Sequence, residues 1–188
     1  MPFLSSHQKY GFLGEFMEKV SIVGIDPSLR NTGIALVNYD IENKKYSVTN
    51  CRVLSNPQKY TGKNAILNML VMIRDVATST EEYEKAKAVV IESPSILFNK
   101  SWAGGTISSI AHISGGAAVA FGLEKVFFFR PTEWNKSRKK DVTHNQTILK
   151  LGGPEKWKFD SVVKENRLEH VLDAVSICLF FIENMYSE

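Results

Sequence analysis

The first regular pattern along the chain is a short β-branched run, Lys19–Ile25 (KVSIVGI), which predicts a buried strand. Thr32–Tyr39 (TGIALVNY) and Tyr46–Leu54 (YSVTNCRVL) follow at hairpin distance, and the polar link Asp40–Lys45 carries the turn former Asn43. Three strands with short links predict an antiparallel meander. The period then changes. Ala65, Ile66, Met69, Leu70, Ile73, Val76 and Ala77 recur at steps of three and four, which predicts an amphipathic helix. Lys87–Ile91 (KAVVI) predicts a fourth strand and Lys125–Phe129 (KVFFF) a fifth. Between them, Thr106–Gly122 predicts a helix with a small-residue side formed by Ala111, Ser114, Gly115 and Ala118. Val142–Leu151 predicts a short helix stopped by Gly152-Gly153-Pro154, and Leu168–Met185 a last amphipathic helix. Ser137–Thr147 and Gly152–Asn166 are expected to be mobile. The order β-β-β-α-β-α-β-α-α predicts an α/β fold. Its sheet is five-stranded and mixed, three antiparallel strands and then two parallel, with flanking helices.

Length and composition change this picture little. The 188 residues suit one domain, and 44% hydrophobic with 23% charged residues excludes disorder, collagen and a coiled coil. Residues 1–16 (MPFLSSHQKYGFLGEF) lack the charged start and apolar stretch of a signal peptide. Met17 opens MEKVSIVGID, so residues 1–16 are expected to be an extension or expression scar outside a 17–188 domain. The longest apolar run, Ile177–Ile182, is too short to span a bilayer, so no membrane is expected. Cys51 and Cys178 form no CxxC and predict two reduced thiols in an intracellular protein, not a zinc site or a disulfide framework.

Chemistry enters with carboxylates at positions the pattern makes apolar. Asp26 ends the first strand (IVGIDPS), Glu92 ends the fourth (AVVIESPS), and Asp173 sits inside the last helix (EHVLDAVSICLFF). Burying an unpaired charge costs several kcal/mol, roughly, so such positions need a reason. Each has a bland one: Asp26-Pro27 as a turn start, Glu92 as a strand end emerging into water, His170 and Asp173 as a helix pair. Jointly they say more. If strands one and four are neighbours, both carboxylates leave the same end of the sheet, and His170 and Asp173 share a helix face. Three carboxylates and an imidazole together repel strongly and call for cations. Oxygen-rich ligands suit Mg²⁺ or Mn²⁺, and two such ions about 4 Å apart form the clamp of phosphodiester hydrolysis.

GIDPSLRNTGIALV at 24–37, VVIESPS at 89–95, RPTEW at 130–134 and EHVLDAVSICLFF at 169–181 together resemble the motifs of the RuvC family of Holliday junction resolvases. These are nucleases of ribonuclease H-like fold, and the resemblance spans roughly residues 19–185. It implies that Asp26 bridges two Mg²⁺ or Mn²⁺ ions, that Glu92 and Asp173 each bind one, and that His170 fills a position held by Asp in some members. It implies a homodimer acting on branched DNA, especially four-way junctions, with paired nicks leaving 5′-phosphate and 3′-hydroxyl ends. The GIDPS form and compact size suggest a phage-type member in a bacterial or phage-infected host cytoplasm.

The net charge of +3 now becomes informative, because residues 125–158 alone carry +6 and the remainder −3. A basic stretch beside a phosphodiesterase site predicts backbone contacts from Arg130, Lys136, Arg138, Lys139 and Lys140, with His144 adding a donor. Trp134 and Trp157 lie in the same window, whose bland reading is a solvated loop with core tryptophans. Arg30 and Lys100 are further candidates for DNA contact. Phe98, in an apolar loop after Glu92, either wedges between base pairs or staples the loop onto the domain's own core. The small side of the Thr106–Gly122 helix fits either a dimer contact or close packing on the sheet. Three other functions compete. One is a broader branched-DNA or flap nuclease. Another is an actin-like or sugar-kinase ATPase, which normally needs a second glycine-rich motif and about twice this length. The third is an inactive junction-binding protein.

Overall fold

A computed structural model describes residues 19–94, 104–136, 138–153 and 167–186. The period-two runs form strands β1 (Lys19–Asp26), β2 (Asn31–Asp40), β3 (Lys45–Ser55), β4 (Ala88–Glu92) and β5 (Val126–Phe129). They make one sheet in the order β3-β2-β1-β4-β5. β1 pairs antiparallel with β2 and β2 with β3, whereas β1–β4 and β4–β5 are parallel. The expected mixed sheet is therefore present. The β2–β3 turn is closed by Asp40, whose carboxylate accepts the backbone N–H of Asn43 at 2.8 Å.

Helices α1 (Gly62–Ala77), α2 (Glu81–Glu84), α3 (Gly104–Phe121), α4 (Pro131–Trp134), α5 (Lys140–Lys150) and α6 (Leu168–Tyr186) complete the described fold, with a 3₁₀ turn at Leu123–Lys125. α2, α4 and the 3₁₀ turn are absent from the pattern-based reading, because elements this short show no period. α5 begins inside the stretch expected to be mobile. Its Thr143 and Thr147 are buried, and Thr147 Oγ1 lies 2.7 Å from Ser176 Oγ of α6.

Strand parity divides the core. Val20, Ile22, Ala88 and Val90 pack with Val171, Val175, Cys178 and Ile182 of α6. Val23, Ile25, Val89 and Ile91 face the other way, toward Met69 and Ile73 of α1 and Ile113 and Ala117 of α3. The small side of α3 is correspondingly split. Ser114 and Ala118 are buried in this chain's own core, while Ala111 and Gly115 face outward. Cys51 and Cys178 are both buried, unbridged thiols. Among the described residues no helix is long and apolar enough to cross a membrane.

Candidate active site

The same parity places the carboxylates. Counting outward from Ile22 by twos gives Gly24 and then Asp26; from Ala88 it gives Val90 and then Glu92. Both acids therefore point to the α6 side of the sheet. The parallel register pairs Ile25 with Ile91, so Asp26 and Glu92 are the next residues on adjacent strands. Strands lie about 4.8 Å apart, which leaves two carboxylates as close neighbours.

Two glycines bring α6 down onto them. A Cβ on Gly24 would stand 1.9 Å from the carbonyl oxygen of Ala174, and one on Gly33 would stand 2.1 Å from that of His170. Gly33 is the strand partner of Asp26. With the helix backbone resting there, His170 Nδ1 comes within 2.8 Å of Asp26 Oδ2. Asp173, one turn along, is buried with Oδ1 at 2.8 Å from His144 Nε2 and Oδ2 at 2.6 Å from Lys140 Nζ. Lys140 also reaches Glu169 at 3.4 Å. Glu92 Oε2 accepts the indole N–H of Trp134 at 3.2 Å.

Charge is crowded here. Burial pushes the Glu92 carboxyl up to about 8, and the charges of Asp26 and Asp173 push the same way. Burial also raises Asp26, with His170 opposing and Asp173 adding to the rise. The hydrogen bond to Asp26 raises His170 against the opposing effect of its burial. Burial would lower the Lys140 ammonium, but the bond and charge of Asp173, with Glu169 and Asp26, outweigh it and raise the group.

All four residues expected from the sequence as metal ligands thus lie at one end of the sheet. They stand in three separate clasps: Asp26 with His170, Glu92 with Trp134, and Asp173 with His144 and Lys140. Among the described residues no three Asp, Glu, His or Cys side chains close on a single point. The donor chemistry fits a hard divalent cation. The crowding of acids points the same way, since Asp26 and Glu92, raised chiefly by burial, are raised further by the charge of Asp173. Lys140 and His170 already supply positive charge to the carboxylates.

The proposed DNA contacts are divided. Arg130, Lys136, Arg138 and Lys139 are exposed, with Arg138 bonding Gln146. Lys140 and His144 instead serve Asp173. Arg30 donates to the carbonyls of Pro57 and Tyr60 at 3.3 and 3.0 Å. Phe98, Lys100 and Trp157 lie outside the described residues. Trp134 has no place in the site as read from sequence, although a signal exists. Pro131 opens a helix, the Glu133 carboxylate accepts the Arg130 backbone N–H at 2.7 Å, and the turn so fixed delivers the indole.

No family model and no curated protein matches the chain. Its structure is similar to solved resolvases. RuvC of Thermus thermophilus, in complex with a Holliday junction substrate, is 17% identical with a TM-score of 0.65, over 88% of this chain and 96% of that one. The yeast mitochondrial Holliday junction resolvase Ydc2 is 11% identical with a TM-score of 0.55, over 96% and 88% respectively. The fowlpox virus Holliday junction resolvase is 15% identical with a TM-score of 0.54, over 88% and 99%. The chain has the ribonuclease H-like fold of these proteins.

Proposed function

We propose that this protein is a metal-dependent endonuclease that resolves four-way DNA junctions by paired nicks. One observation carries the reading: the period-two placement of Asp26 and Glu92 on adjacent strand ends, directly under the helix that bears His170 and Asp173. The fold shared with three Holliday junction resolvases supports it.

Asp26, Glu92, Asp173 and His170 would hold two Mg²⁺ or Mn²⁺ ions. Such ions, when bound, supply Lewis-acid stabilisation of the charge that builds on the phosphate and the leaving oxygen. The chain's own groups prepare the place. Trp134 fixes one Glu92 oxygen. Lys140 and His144 hold Asp173 and limit repulsion among the acids. Lys136, Arg138 and Lys139 offer exposed cations to the DNA backbone. Water adds to phosphorus and the 3′ oxygen leaves, giving 5′-phosphate and 3′-hydroxyl ends.

A dimer is part of the proposal, since cutting both strands symmetrically calls for a two-fold axis. Leu67 and Val71 of α1 and Val119 of α3 are 58%, 45% and 67% exposed. These apolar side chains lie on the side of the sheet away from the carboxylates.

Asp26→Asn should abolish nicking in Mg²⁺ or Mn²⁺ while leaving junction binding intact; undiminished nicking by that variant would sink the assignment. Comparing a four-way junction with a three-way junction, a flap and linear duplex separates a resolvase from a broader branched-DNA nuclease.

A further inference from the structure

Beyond the carboxylates, the loop leaving β1 meets the start of α6. Arg30 lies four residues past Asp26, and Arg167 three before His170. Both line a cleft of about 480 Å³ whose other described walls are Asn31, Asn56 and Gln58. The wall is chemically one-sided, with two guanidiniums, three carboxamides and no carboxylate among these residues. Neither arginine is ion-paired with any described residue. Guanidinium stays charged at any accessible pH, and its planar fork matches the oxygens of a phosphate.

The cleft is also organised in advance. Arg30 Nη1 is held by the carbonyls of Pro57 and Tyr60, leaving its Nε and Nη2 bonded to no described residue. Asn56 donates to the carbonyls of Leu29 and Ala65 at 3.1 and 2.6 Å and accepts from Asn68 at 3.0 Å, so it fixes the loop. Arg167 Nη1 donates to Ser55 Oγ, and Ser55 donates to Asn31 Oδ1 at 3.2 Å. That leaves the amide hydrogens of Asn31 available.

Sheet order says what would reach it. The cleft sits at the β2–β3 side, the basic 136–140 stretch follows β5, and the carboxylates on β1 and β4 lie between. From β3 to β5 is about 19 Å across the sheet, or about five to six steps of a DNA strand at 3.4 Å each. We propose that the cleft binds a backbone phosphate of the DNA strand lying over the carboxylates. Arg30 and Arg167 are its charged ligands, and Asn31 and Gln58 its neutral donors. This rests on the nuclease reading and gives the strand a second anchor, on the opposite flank from the basic stretch.

The test uses the full chain carrying Asp26→Asn, titrated with a four-way junction over a salt series. Adding Arg167→Ala should reduce the log–log slope of affinity against salt by about one. Gln58→Glu replaces a neutral donor of the cleft wall by a carboxylate and breaks no hydrogen bond within the described fold; it should also weaken binding, with an unchanged melting temperature. Single methylphosphonate replacements near the cut then locate the contact. One position should weaken binding to the Asp26→Asn chain and have no further effect once Arg167→Ala is present. Unchanged affinity and slope in both variants would overturn the proposal. So would weakening with no replacement coupled to Arg167, which would mark a general charge effect. In both cases nicking by the unsubstituted chain, lost in Asp26→Asn, leaves the nuclease reading standing. Absence of both nicking and junction binding removes that reading and this proposal together.

Discussion

Glu92 shows how a single residue's surroundings set the chemistry of the site. Its carboxyl accepts the Trp134 indole N–H, a contact worth about 1.5–3 kcal/mol once the carboxyl is ionised. Trp134→Phe keeps a ring in the buried pocket and removes only that donor. Nicking should fall about ten- to a hundredfold with junction affinity retained; equal rates would show that Glu92 needs no such support. The raised carboxyls also have a thermodynamic consequence. A folded Glu92 that ionises near 8 against 4.5 in the unfolded chain holds a proton that the unfolded state has lost. Its stabilisation is present below 4.5 and is lost as pH rises toward 8. His170, raised by Asp26, acts with the same sign. In chelator, the melting temperature should therefore fall between about pH 5 and pH 8, and Glu92→Gln should flatten that profile. Asp26 and Glu92 were legible in the sequence because each ends an unbroken apolar run. The true partners of Asp173 were not. Lys140, His144 and Thr147 form a polar stripe on α5 that faces Asp173 and Ser176, and contacts between segments 29 residues apart leave no mark on either segment's own period.

At the level of elements, the site depends on how closely α6 lies against β1 and β2. Gly24 and Gly33 make that approach possible, since a methyl at either position would overlap a helix carbonyl. Both glycines stand in the motif GIDPSLRNTG, and their role is steric rather than conformational. Gly33→Ala should destabilise the protein by about 1–3 kcal/mol, as overpacking does, a fall of several degrees in melting temperature. Because the clash falls on His170 itself, nicking should drop further than the lost stability explains, even well below the melting temperature. Retained activity at that temperature would mean that the clasp of His170 on Asp26 is dispensable. The long elements were readable because each spans at least one full repeat of its period. α2 and α4, of four residues each, were not. α4 is the costly omission, since it delivers Trp134 to Glu92.

At the scale of the whole molecule, helix faces and charge divide the surface between two tasks. The carboxylates, the Arg30–Arg167 cleft and the exposed cations of 136–139 lie at the end of the sheet under α6. The outer sides of α1 and α3 carry Leu67, Val71 and Val119 in the open. α3 approaches α1 closely where Gly116 meets Leu70, so the two helices that bear these apolar groups lie side by side. Exposed apolar groups that adjoin one another mark an interaction surface. A second copy of the chain is the occupant that the proposed paired nicks require. Val119→Glu puts a charge on that surface without touching the core or the carboxylates. On a supercoiled plasmid with an extruded cruciform, the unsubstituted protein should give linear product, as two cuts fall within one encounter. The variant should sediment at half the mass and give nicked circles, because each cut then needs a separate encounter. Undiminished mass together with undiminished linear product would place the dimer contact elsewhere. Undiminished linear product from a monomer would remove the need for a two-fold axis.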